Sequence, residues 1–96
     1  MVAQQLVEHQ RGDILRLAAQ HGATNVRVFG SVVRSEAGAG SDIDFLVDME
    51  PKRSLLDIAT LKLDLQDLLG CQVDVVTESS LYWLLRRRIL REARPL

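Results

Sequence analysis

The sequence predicts an α/β fold, an α+β sandwich in which helices pack on a small mixed sheet. Three observations predict it. Apolar stripes at helical spacing alternate with short β-branched runs, in the order αβ(α)βαβα. The first two strands are joined by a short link, which favours an antiparallel pair, while a helical crossover between the second and third permits a parallel one. Finally, 96 residues that are 47% hydrophobic and 26% charged suit one small soluble domain, residues 1–96, with a core sufficient to fold by itself.

Residues 2–21 carry Leu6, Ile14, Leu15, Leu17 and Ala18 among polar neighbours, the pattern of an amphipathic helix. Gly12 weakens it, and Gly22 stops it. The run Asn25 to Phe29 reads as the first strand. Ser31 is placed to cap a short helical turn reaching about Glu36. Ile43 to Val47 reads as the second strand, apolar enough to be covered on both faces. Pro51 ends it, and Ser54 opens a helix whose stripe is Leu55, Ile58, Leu61, Leu65, Leu68 and Leu69, with Gly70 as its stop. Cys71 to Val76 is the third strand. Ser79 or Ser80 then caps a last helix, with Leu81, Leu84, Leu85 and Ile89 expected to face inward.

The stretch around which these elements are organised is FGSVVRSEAGAGSDIDFLVD, Phe29 to Asp48. Asp42 and Asp44 stand two apart at the head of a strand and therefore project from one side of it. Two carboxylates so close repel each other unless a cation lies between them. An oxygen-only cluster suits a hard ion such as Mg²⁺. Gly30 permits close backbone approach, and Ser31 adds a hydroxyl and an amide, a natural seat for phosphate. Taken singly these features are weak. An Asp-x-Asp pair at a strand mouth is more often a solvated edge, Ser31 more often a helix cap, and Arg34 more often a surface arginine. Val47, standing where an EF-hand loop needs glycine, excludes that calcium site.

The conjunction is more specific. Gly30-Ser31, ten residues, then Asp42-x-Asp44 resembles the signature of the DNA polymerase β-like nucleotidyltransferase superfamily, and GSVVRSEAGAGSDIDFLV resembles its minimal nucleotidyltransferase (MNT) branch. That branch is known mainly as antitoxins paired with HEPN-domain toxins. Asp74, within Gln72-Val73-Asp74-Val75-Val76, matches the third carboxylate of the superfamily, and Glu92-Ala93-Arg94-Pro95-Leu96 is also typical of the branch. Ser35 departs from the pattern, since relatives usually carry glycine there. The resemblance implies a polymerase β-like fold and a metal-dependent nucleotidyltransferase. Asp42, Asp44 and Asp74 would be catalytic and hold two Mg²⁺ ions, with Gly30, Ser31 and Arg34 on the nucleotide phosphates. It implies transfer of AMP from ATP to a hydroxyl, a tyrosine, on a cognate HEPN toxin. Two alternatives stay open: a non-catalytic antitoxin that neutralises the toxin by covering it, and an antibiotic-type enzyme acting on a small molecule.

Composition narrows the remaining classes. No apolar run approaches the ~20 residues of a membrane span, and MVAQQLVEHQRGD is too polar for a signal peptide. A single cysteine, Cys71, rules out an internal disulfide and a cysteine-based zinc site. The expected location is cytoplasmic. The net charge of −1 hides a segregation. Residues 36–78 hold ten acids against three bases, and residues 79–96 hold five arginines against Glu92. Such a basic end reads first as a wet helix surface, so direct nucleic-acid binding is not expected. Asp57, Asp64 and Asp67 read as a solvated helix face, and His9 and His21 as exposed helix residues. Cys71 reads as a small buried residue and Trp83 as helix packing. Glu36, although close to the motif, reads as helix surface.

Overall fold

A four-stranded sheet in the order β3-β2-β1-β4 is the frame on which every candidate site residue is carried. The computed structural model describes residues 3–34 and 42–96. Ser35, Glu36 and the small-residue loop from Ala37 to Ser41 lie outside the described residues. Helices α1 (Ala3–His9) and α2 (Arg11–Gln20) lead into β1 (Ala23–Phe29), and a 3-10 turn, Gly30–Val32, follows. After β2 (Ile43–Met49) come α3 (Leu55–Leu69), β3 (Val73–Val76), a 3-10 turn at Glu78–Ser80, α4 (Trp83–Glu92) and β4 (Arg94–Pro95). β1 pairs with β2 antiparallel, and β2 pairs with β3 parallel.

Alternation along the strands divides the sheet into two unlike faces. Ile43, Phe45, Val47, Val73 and Val75 meet Val7, Ile14, Ala18, Leu61, Leu65 and Leu69 of α1, α2 and α3 in one core. Asp42, Asp44 and Asp74 alternate with those residues and belong to the opposite side. Leu46 on that side is also fully buried, so β2 is covered on both faces beyond its acidic head. α3 begins where Ser54 accepts a hydrogen bond from the Leu56 amide at 3.2 Å and the Asp57 carboxylate accepts one from the Ser54 amide at 2.9 Å, a reciprocal cap. It ends at Gly70, whose left-handed φ of 67° closes the helix.

Several expectations need correction. The first helix is broken at Gln10 into α1 and α2, two residues ahead of Gly12. Leu55 does not join the α3 stripe and is 82% exposed, because the first turn of α3 overhangs the core. Ser79 and Ser80 sit in a separate 3-10 turn, so α4 starts only at Trp83, after Tyr82. No residue of α4 is buried, and Leu84 and Leu85 are 57% and 46% exposed. The helix-covered face of the sheet is already occupied by α1, α2 and α3, which leaves α4 no core to enter.

β4 is an element that sequence reasoning missed. Arg94 and Pro95 pair antiparallel with Val28 and Arg27, and the Leu96 amide donates to the Val26 carbonyl at 3.0 Å. Proline has no amide proton to give a ladder, so an edge strand is the place where it is tolerated. His21 was expected on the open surface. Its ring instead lies between Asp64, at 2.7 Å, and Thr60, at 3.2 Å, tying the end of α2 to α3.

The corrected α3 stripe makes a testable contrast. Leu61→Ala should lower unfolding free energy in urea by about 2–5 kcal/mol, whereas Leu55→Ala should change it by no more than about 0.5 kcal/mol.

Candidate active site

The site begins with strand register. Phe29 faces Asp44 across the β1–β2 pair, and Asp44 faces Asp74 across the β2–β3 pair. One row across the sheet therefore brings the end of β1, the head of β2 and the head of β3 together. Asp42 precedes β2 by one residue and is exposed. It lies two residues from Asp44 and so belongs to the same side.

Asp44 is the most constrained of the three. It is partly buried, and burial pushes its carboxyl above the ordinary range; the neighbouring charges of Asp74 and Asp42 push in the same direction, and Glu92 adds to them, while Arg34 pulls it back. Asp42 and Asp74 are thus both within electrostatic reach of Asp44. Their donor set is all oxygen and anionic, which fits a hard divalent cation. Among the described residues no group of three His, Cys, Asp or Glu side chains draws together as a ready ligand set. The Asp74 carboxylate accepts a hydrogen bond from the Val75 amide at 3.1 Å.

Gly30 follows Phe29 and is wedged against Asp44. Its φ is 80°, and a Cβ there would stand 2.5 Å from the Asp44 carboxylate oxygen Oδ2. Both facts demand glycine. The turn after it is closed by the amides of Val33 and Arg34, which donate to the Gly30 carbonyl at 3.1 and 3.2 Å. Ser31 lies inside this turn and not at its start. The cap position belongs to Phe29, with no side-chain cap bond, so the Ser31 hydroxyl is not consumed in capping.

Glu92, at the last residue of α4, is the partner that sequence reasoning missed. Its carboxylate accepts from the Gly30 amide at 3.0 Å and from the Arg34 guanidinium at 2.6 Å. Its side chain is only 14% exposed. Burial pushes its carboxyl up, but the hydrogen bonds from Arg34 and Gly30 outweigh that effect and hold it below the usual range. The sequence signal was present as the lone acid in an arginine-rich tail, but nothing local in the chain shows that it reaches residue 30. Arg34, expected on phosphate, is thus engaged by Glu92. Cys71, expected buried, is only partly so, and burial followed by the charge of Asp42 raises its thiol.

The nucleotidyltransferase domain family matches residues 13–96. A candidate protein adenylyltransferase of Methanocaldococcus jannaschii is 44% identical over 80 residues, 83% of this chain and 86% of that one. Protein adenylyltransferase MntA of Thermococcus cleftensis is 45% identical over 76 residues, 79% of this chain and 77% of that one. The solved structure of a candidate minimal nucleotidyltransferase superposes with a TM-score of 0.85 at 52% identity, over 97% of this chain and 95% of that one. A Shewanella oneidensis MNT antitoxin–HEPN toxin complex, the toxin tri-AMPylated, gives a TM-score of 0.66 over 96% of this chain and 70% of that one, and at 22% identity that likeness is one of fold. The domain and its fold are those of a nucleotidyl-transferring enzyme. The chain belongs to the nucleotidyltransferase family, in its minimal branch.

Three substitutions test the turn and its electrostatics. Gly30→Ala should destabilise by about 1–3 kcal/mol through its left-handed backbone and the clash with Asp44. Asp44→Asn should raise the melting temperature at neutral pH in chelator. A carboxyl whose folded pKa is raised opposes folding above that pKa, so the gain should shrink as pH falls through it and wild type takes up its proton. Glu92 has the opposite sign. Its contribution is present above its unfolded pKa and lost as pH falls through the depressed folded one, so Glu92→Gln should lower the melting temperature at neutral pH but not in strong acid.

Proposed function

We propose that residues 1–96 act as one protein adenylyltransferase unit that moves AMP from ATP to a tyrosine hydroxyl of a cognate HEPN toxin, and so serve as its antitoxin in the cytoplasm. The observation that carries this reading is the register of Asp44 against Asp74 with the Gly30 turn packed on Asp44. Its relatives support it: protein adenylyltransferase MntA among those similar in sequence, and a tri-AMPylated HEPN toxin with its MNT antitoxin among those similar in structure.

In this reading the acceptor oxygen attacks the α-phosphorus of ATP. The bond from that phosphorus to the bridging oxygen breaks, and pyrophosphate leaves with the electron pair. Asp74, at the edge of the row, is assigned to receive the hydroxyl proton. Asp42, Asp44 and Asp74 are the residues that would hold two Mg²⁺ ions, whose chemistry is to lower the pKa of the hydroxyl and offset charge on the leaving group. Ser31, by its amide and hydroxyl, and Gly30, by its amide once released from or shared with Glu92, are assigned to the β- and γ-phosphates. Arg34 is assigned to the same oxygens, and it reaches them by loosening or sharing its bond with Glu92.

Incubation of the protein with its HEPN toxin, labelled ATP and Mg²⁺ should add AMP masses to the toxin. Asp42→Asn and Asp44→Asn should abolish that addition, and Mg²⁺ with ATP should raise the melting temperature of wild type more than that of either variant. If Asp44→Ala still neutralises the toxin with no AMP transferred, capping by complex formation replaces catalysis as the antitoxin activity.

A further inference from the structure

We propose that α4 is the docking surface for the acceptor protein, and that the acceptor meets it with an acidic face bearing apolar side chains. This deepens the proposed function and rests on that reading. Five large apolar residues are exposed within nine positions: Tyr82, Trp83, Leu84, Leu85 and Leu90, with Trp83 at 71% and Leu90 at 36%. A small protein rarely leaves so dense an apolar group open to water without a partner to cover it.

The helix has two sides. Leu85, Ile89 and Glu92, at i, i+4 and i+7, line a small hollow of about 220 Å³ together with Phe29, Gly30 and Arg34. Trp83, Arg87 and Leu90 repeat the same spacing on the side turned away from Gly30. Between them lies an open cleft of about 420 Å³ lined by Leu84, Arg87, Arg88, Arg91 and Glu92. The cleft shares Arg88 and Glu92 with the hollow beside Gly30, so a partner that covers the cleft as well as the outer side reaches the edge of the candidate active site, as an acceptor must.

Charge identifies the kind of partner. Residues 79–96 hold five arginines against one acid, and that acid, Glu92, is already engaged by Arg34 and the Gly30 amide. The face is thus cationic as well as apolar, which selects an acidic protein surface and speeds its approach. Arginine with a large aromatic is also the composition of interface anchors. A nucleic acid would use the arginines but leaves Leu84 and Leu90 without a role. A second copy could offer its acidic α3, where Leu55, Leu56 and Leu63 are exposed, but a head-to-tail contact of α4 on α3 closes only where its rotation makes a ring and otherwise builds open chains.

Trp83 is the single tryptophan, which makes the test direct. Protein carrying 5-fluorotryptophan should show a shifted ¹⁹F resonance when its HEPN toxin is added. It should show none with a single-stranded RNA oligonucleotide, and none on raising its own concentration. Arg87→Glu and Leu90→Ser, both solvent-exposed changes, should each weaken toxin binding roughly tenfold or more and slow AMP transfer to it, while ATP–Mg²⁺ still raises the melting temperature as in wild type. Normal toxin binding by both variants together with an unmoved resonance overturns the docking surface but leaves the adenylyltransferase reading standing. A response to RNA or to self-association in place of the toxin overturns it in favour of that occupant. If wild type neither binds nor modifies the toxin, both readings fall.

Discussion

The contact between the Gly30 backbone and the Asp44 carboxylate is the constraint on which the site depends. A partly buried carboxylate beside two further aspartates is electrostatically unfavourable, and its carboxyl is raised accordingly. Such an arrangement persists only if the surrounding fold holds it. Here the holding is done by backbone hydrogen bonds: β1 against β2 on one side and β3 against β2 on the other. The hydrophobic core beneath the sheet supplies the stability against which this concentration of charge is set. Ile43 and Phe45 flank Asp44 in sequence and are fully buried, so the strand cannot slide by one residue without carrying charge into the core.

Glu92 links this site to the far end of the chain. Its carboxylate satisfies the Gly30 amide and pairs with the charge of Arg34, the same chemistry that a phosphate oxygen would offer. The turn that is read as a phosphate seat is therefore already shaped around an anion. The same residue is the last of α4, and β4 follows at once to pair with β1. The C-terminal segment is thus clamped twice near the site, by a charged hydrogen-bond pair and by an edge strand. α4, between those clamps and the rest of the chain, buries no residue of its own.

Much of the fold was legible. The α3 helix, with Ser54 and Gly70 at its ends, and the antiparallel and parallel strand pairs all follow from local signals: caps, glycines, period and loop length. So did the position of Asp42 and Asp44 on one side of a strand. Leu55 and Leu84 were misread because periodicity reports which residues share a face, and burial depends on whether another element covers that face. β4 was illegible for a different reason. Two residues, one of them proline, carry no strand pattern, and their pairing exists only because β1 presents a free edge.

The sequence by itself determined the class of fold, the Gly-Ser turn, the spacing of Asp42 and Asp44 and a third acid on a later strand, because each is written in residues near one another in the chain. Only the tertiary structure decided that Asp74 stands beside Asp44, that Glu92 closes on Gly30 and Arg34, and that α4 lies open. Those facts depend on strand register and on which surfaces α1, α2 and α3 had already taken. Contacts between residues 30 and 62 positions apart are set by packing and hydrogen bonding across the whole domain, and no local pattern encodes them.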